Sequence, residues 1–220
     1  MSIGIGENLT GSFGFAKDKL GGNIGTWLIL AILNIIPIVN WIVYGVYIKV
    51  LRGEDPELKE MGKSFIDGLF AIVISIIYMI IPIILSMVVF ILTFSMGSMT
   101  VTPGMTHVPD MMGIFAVGMN IALMFLCLIV TILFSLLLIP AIVNFARNGF
   151  GAAFKFSMIF GMISKAGWVN YILSMILMWI IFTVIIFVCM IIPILGWILL
   201  IFIMPFLYVW GAKYFANLFE

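Results

Sequence analysis

Residues 121–143 read IALMFLCLIVTILFSLLLIPAIV, running from Ile121 to Val143 without one charged side chain. At about 1.5 Å per residue, such a stretch is long enough as a helix to cross the roughly 30 Å of hydrocarbon in a bilayer. Ile172–Ile192 is a second run of the same kind. Only helices and closed barrels satisfy every backbone polar group inside lipid. Barrel strands would alternate apolar and polar residues over segments of about ten, and these runs do not alternate. They predict an all-α, polytopic helical membrane protein.

The rest of the chain agrees. Of its 220 residues, 65% are hydrophobic and 9% charged, and the mean hydropathy is +1.35. Soluble domains carry about 25% charged and about 45–50% apolar residues, so this chain has too few charges to cover a water-facing surface. Membrane lipids are therefore its expected surroundings and partners. A net charge of +1 offers no basic surface to nucleic acid, and no polybasic cluster stands ready to recruit anionic lipid. Cys127 and Cys189 both fall in apolar runs, where thiols pack as small hydrophobes. Met1–Gly22 lacks the compact apolar run and small-residue site of a cleavable signal. One integral membrane domain over residues 1–220 is the simplest reading.

Five apolar blocks stand between charges and Gly/Pro/Asn punctuation: residues 24–50, 69–96, 111–145, 169–192 and 197–215. The last four are long enough to span, and Pro140 is expected to kink the third block near its end. The first is different. Its Ile35-Ile36-Pro37-Ile38-Val39-Asn40-Trp41 reappears as Ile191-Ile192-Pro193-Ile194-Leu195-Gly196-Trp197. In the later copy the motif joins two spans as a tight turn, with Gly, or Asn in the first copy, expected to take the left-handed conformation. The lead-ins also correspond: Gly11–Lys17 running on to Trp27, and Gly151–Ser157 running on to Trp168. Two hairpins, each preceded by a short interfacial helix, share this plan. Residues 9–22 form the first such helix, with Leu9, Phe13, Ala16 and Leu20 on one side and Lys17 and Lys19 elsewhere.

As a hairpin, the first block has short arms. Ile24–Ile36 reaches about 20 Å against about 36 Å for Val169–Ile192, so the block is expected to dip into the bilayer and return. Charge placement favours this. The ten Lys and Arg residues fall at Lys17 and Lys19; Lys49, Arg52, Lys59 and Lys63; Arg147, Lys155 and Lys165; and Lys213. With four spans and an N-terminal, Pro-broken re-entrant hairpin, all ten lie on one side, the cytoplasmic one by the positive-inside rule, together with both termini. The alternative is five spans, with the first block a single span kinked at Pro37. That arrangement moves Lys17 and Lys19 outside. The expected location is the cell membrane. Of the connections, Arg52–Asp67 is the charge-rich one, with Asp55-Pro56 as a helix-start signal, and Gly97–Asp110 reads as a surface loop.

Three stretches together resemble a known family. They are Ile35–Gly53, with its Pro-Ile-Val-Asn turn and Tyr-Gly-Val-Tyr-Ile-Lys-Val-Leu-Arg-Gly ending; Gly62–Pro82, with Gly-Lys-Ser-Phe-Ile-Asp-Gly-Leu; and Ile192–Phe215, with Tyr-Val-Trp-Gly-Ala-Lys-Tyr. The resemblance is to a prokaryotic, largely archaeal family of multi-pass membrane proteins known as domain of unknown function 4013. It implies the architecture and brings no activity, cofactor or catalytic residue.

The residues themselves argue against an enzyme. His107, the sole histidine, has only Asp110 near it in sequence, whereas a metal site needs three or four ligands. There is no Cys-x-x-Cys or Gly-x-Ser-x-Gly, and Gly62-Lys63-Ser64 lacks the earlier glycine and strand of a phosphate loop. No cofactor is expected. Coupled transporters place ionisable groups within their spans, and these blocks hold none near their middles. Asp67 precedes Gly68 where it would offset a helix dipole, and Lys49 and Lys213 sit where they would snorkel. Uncharged polar groups remain, at Asn34, Asn40, Tyr44, Tyr47, Ser75, Tyr78, Asn120, Thr131, Ser135 and Asn144. Helix–helix hydrogen bonding is their ordinary role. Asn34, Asn40, Tyr44 and Tyr78 stand out because Pro37 and Pro82 free backbone carbonyls nearby, and two such broken helices could line a small polar pocket. The favoured function is a non-catalytic membrane module that binds lipid or a protein partner, or pairs with its own copy. The alternative is a permease or flippase for a small or lipid-like substrate.

Overall fold

A computed structural model describes residues 4–99, 111–192 and 194–220, and shows a helical chain with no strand among the described residues. The order is α1 (Ile5–Gly21), α2 (Ile24–Ile35), α3 (Trp41–Leu51), α4 (Met61–Met99), α5 (Met111–Asn148), a 3-10 turn (Phe150–Phe154), α6 (Phe156–Ala166), α7 (Trp168–Ile191) and α8 (Leu195–Leu218). Four of these, at Met61–Phe94, Val117–Asn148, Trp168–Ile191 and Leu195–Leu218, are long and apolar enough to cross a membrane. The expected polytopic helical architecture is therefore present. His107 and Asp110 lie outside the described residues.

The chain forms two units: residues 1–74 with 139–220, and residues 75–138. All ten basic residues belong to the first. The second contains the C-terminal part of α4 and the N-terminal part of α5. Thr93 Oγ1 there donates to Asn120 Oδ1 at 3.0 Å, a bond between the two helices, while Thr131 turns back on its own helix, donating to the Cys127 carbonyl. Large apolar side chains, such as Phe90 and Phe94 at 71% and 73% exposure, cover its outside.

In the first unit α8 is the hub, with α1, α2, α3 and α7 all packed on it. Its buried residues run from Pro205 through Leu207, Val209, Trp210, Ala212, Tyr214 and Ala216. The first apolar block is two helices, α2 of twelve residues and α3 of eleven, packed on each other and on α8. Neither is long enough to span. Lys19 Nζ, just before the block, lies 2.5 Å from Asp55 Oδ2, just after it, so both ends of this hairpin sit together.

The described residues of the two copies share three features. The residue before proline is extended, with ψ 113° at Ile36 and 106° at Ile192, as the proline ring requires of its predecessor. The residue after it has positive φ, 71° at Ile38 and 61° at Ile194. The same four-residue bond closes both turns, Asn40 N to Ile36 O at 3.0 Å and Gly196 N to Ile192 O at 2.9 Å. The expectation for the left-handed residue needs correction here. Asn40 is right-handed, at φ −58°, and the left-handed position falls on an isoleucine in both copies. Gly196 is needed instead for closeness: a Cβ there would lie 1.6 Å from the Cys189 carbonyl oxygen.

Glycine also sets the crossing of α3 with the start of α4. A Cβ on Gly45 would come within 1.7 Å of Ser64 O, and one on Gly68 within 1.8 Å of Trp41 O. Small residues four apart, Ser64 and Gly68, let the backbones touch in the manner of membrane helix pairs. Asp55-Pro56 does not begin a helix. Residues 54–58 are irregular and α4 starts at Met61, and the Asp55 carboxylate meets Lys19 rather than backbone N–H groups.

Candidate functional site

Polar side chains within the first unit form the one feature that composition would not lead one to expect, and most of them hold helix ends. Arg52, which follows α3, donates from Nη1 to Asp67 Oδ2 on α4 at 2.6 Å and from Nε to the Ala146 carbonyl on α5 at 2.7 Å. One guanidinium thus joins three helices. Asp67 sits in the second turn of α4 with its side chain 12% exposed, so its role as a dipole-offsetting group at a helix start is replaced by that of an ion-pair partner. Arg147 caps α8, its two terminal nitrogens each 2.8 Å from the carbonyls of Ala216 and Phe219. A cation at a helix C-terminus meets both orphan carbonyls and the negative end of the dipole.

Lys49 does not snorkel. It is 5% exposed and donates to the carbonyls of Glu57 and Lys59, holding the loop before α4 over the end of α3. Lys213 lies 5.3 Å from the ring centre of Phe15, a cation over an aromatic face. Asn8 on α1 donates to the Tyr214 carbonyl at 3.0 Å and accepts from Asn217 at 2.9 Å. Trp27 donates to the Phe202 carbonyl at 2.7 Å, in the turn before Pro205, where the helix ladder is interrupted. Asn144 donates to the Ala152 carbonyl at 2.7 Å and fixes the 3-10 turn on α5.

Around α8 the aromatic hydroxyls converge. The rings of Tyr44 and Tyr208 are 5.7 Å apart, with their hydroxyls in hydrogen-bonding reach. Tyr171, on α7, is fully buried beside Tyr47. The Ser174 and Tyr214 hydroxyls are neighbours, both buried, and neither reaches a partner at good geometry among the described residues.

The four residues singled out in sequence divide between the two units. Asn34 lies near the end of α2, Asn40 immediately before α3, and Tyr44 one turn into α3, all in the first unit. Tyr78 is a buried residue of the second unit. Neither Asn34 nor Asn40 makes a side-chain hydrogen bond among the described residues. Sequence reasoning missed Arg52–Asp67, Arg147 and Asn8. A signal existed only for the arginines, since Arg147 falls at the end of an apolar run, where a helix C-terminus is expected.

The second unit carries an open groove of about 560 Å³ along α4, lined by Met79, Pro82, Met87 and Phe90, with Ser86 and Thr131 as its hydroxyl groups. Among the described residues no group of three His, Cys, Asp or Glu side chains could hold a metal ion.

A family model described as "Protein of unknown function (DUF4013)" matches residues 29–194. No curated protein matches the chain. No solved structure matches it either.

Proposed function

Since the chain belongs to the DUF4013 family of proteins of unknown function, we propose, from its own geometry, that this multi-pass membrane protein is a non-catalytic module that packs against lipid or a partner membrane protein. The observation that carries this reading is how its ionisable interior groups are spent. Arg52, Asp67, Arg147 and Lys49 are all engaged in tying helix ends together. A catalytic or ion-coupling group would instead face a substrate path. The second unit supports the same reading from outside. It is apolar, its described residues are free of charge, and its groove along α4 has the lining an acyl chain would meet.

Residues 24–51 serve this module as a re-entrant hairpin. Arms of twelve and eleven residues are about 18 and 16 Å long, short of the hydrocarbon thickness. The Lys19–Asp55 pair supports entry and exit on one side. With four spans, every basic residue then lies on the cytoplasmic face of the cell membrane together with both termini.

Purification in mild detergent, with mass spectrometry of what remains bound, tests the module reading. Retention of defined lipids, of a stoichiometric partner or of a second copy is the expected result. Bare protein that moves a solute or lipid across liposomes would replace it with the permease or flippase reading.

A further inference from the structure

The hairpin turn at residues 36–40 poses a problem that its later copy does not. We infer that this turn lies in a water-filled depression inside the bilayer, lined by Asn34, Asn40 and the free backbone groups of the turn. The inference rests on the re-entrant reading of residues 24–51.

Two turns that share an extended residue before proline, a positive-φ residue after it and one closing bond end arms of very different length. The arms of the second, α7 and α8, have 24 residues each and reach about 36 Å, which takes Ile192 and Ile194 to the far surface, where water satisfies whatever their backbone leaves open. Arms of about 16–18 Å take residues 36–40 only a little beyond mid-membrane.

At that depth the open groups matter. Pro37 has no N–H to give. The N–H groups of Ile38 and Val39 donate to nothing in the described chain, and no bond of the turn reaches the last carbonyls of α2. The side-chain amides of Asn34 and Asn40 are half-buried and lack hydrogen-bond partners among the described residues. The described residues leave the tip uncovered, with Ile35 and Ile38 56% and 59% exposed. Each such polar group costs several kcal/mol in hydrocarbon, so acyl chains cannot be what meets it. Donors and acceptors stand side by side over a few residues, and water supplies both to each without a second protein having to match the pattern. Tyr44, one turn below, is half-buried at the same end of α3, with its hydroxyl in reach of Tyr208.

Thiol reactivity reads this directly, because the attacking thiolate forms in water and not in lipid. Single cysteines at Ile38→Cys or Val39→Cys, in a Cys127→Ala/Cys189→Ala background, are exposed on both sides of membrane vesicles to a charged, membrane-impermeant methanethiosulfonate. Glu54→Cys is the benchmark for free water, and Val184→Cys, on the exposed apolar side of α7, is the benchmark for lipid. Either tip cysteine should react within about tenfold of Glu54→Cys, and at least about a hundredfold faster than Val184→Cys. Val39→Cys gives the same reading if replacement of Ile38 is not tolerated. Tip cysteines as slow as Val184→Cys overturn the inference, whether a lipid-soluble maleimide reaches them (lipid at the tip) or fails to (a protein partner over it). Asp18→Cys and Glu54→Cys flank the hairpin. If they label from opposite faces, the re-entrant reading itself fails. If they label from one face while the tip stays slow, only the water is lost.

Discussion

Ile38 and Ile194 hold the same place in two turns far apart in sequence, each following a proline, with φ of 71° and 61°. A β-branched residue is the wrong one for that region, where Cβ crowds the backbone at about 1–2 kcal/mol. Each isoleucine directly follows a proline and lies inside the one hydrogen bond that closes its turn, which leaves the chain little choice.

Ile38→Gly should therefore stabilise the hairpin, despite the added freedom of the unfolded chain. The expected gain is about 0.5–1 kcal/mol in detergent unfolding. A loss of stability would show that the left-handed backbone at residue 38 is not held in the membrane.

Gly45→Ala should be severe. Its Cβ would collide with the Ser64 backbone, which cannot move aside as a side chain could. A loss above about 3 kcal/mol, or failure to fold, is expected from overpacking of this kind. Gly62→Ala on α4, where nothing lies within 4 Å, should be neutral or stabilising by up to about 1 kcal/mol. Equal thermal stability of the two variants would contradict the α3–α4 crossing.

Arg52→Met leaves the Asp67 carboxylate without its cation and the Ala146 carbonyl without its donor. Breaking a buried pair costs about 3–5 kcal/mol, and the partial exposure here places it near the lower figure. Adding Asp67→Leu should restore much of the loss, as apolar replacement of a whole pair commonly does. A double variant no better than the single one would mean that the carbonyl contact, rather than the charge pair, carries the stability. Asp55→Asn, by contrast, touches a pair about half exposed on both partners and should cost under about 1 kcal/mol.

Arg147→Met should loosen the end of α8. Hydrogen exchange at Ala216–Phe219 is expected to rise, with a stability loss of about 1–2 kcal/mol for two charge-assisted bonds at a partly exposed site. Unchanged exchange there would remove Arg147 from the role of cap.

How far the sequence could be read differs by element. The four long apolar helices were legible because length and unbroken apolarity are local properties, and the motif at Pro37 and Pro193 marked two turns of one kind. The left-handed residue was misplaced because propensity pointed to Asn40, whereas the proline geometry places the reversal immediately after itself. Asp55-Pro56 also misled: its carboxylate meets Lys19, distant in sequence, and the helix starts later, at Met61. Asn34, Asn40 and Tyr44 fell within one unit, and Tyr78 in the other, because Pro82 resembles Pro37 in sequence without sharing its turn: α4 continues through it.

Composition and periodicity alone determined that this chain is helical and lives in lipid, since so few charges cannot cover a water-facing surface, and unbroken apolar runs satisfy their backbone in lipid as helices rather than as the alternating strands of a barrel. Only the tertiary structure decided which polar groups hold the fold together. Arg52 finds Asp67 and Ala146, and Asn8 finds Tyr214, through helix crossings that no local pattern encodes, because such partners are chosen by the packing of distant segments and not by their neighbours along the chain.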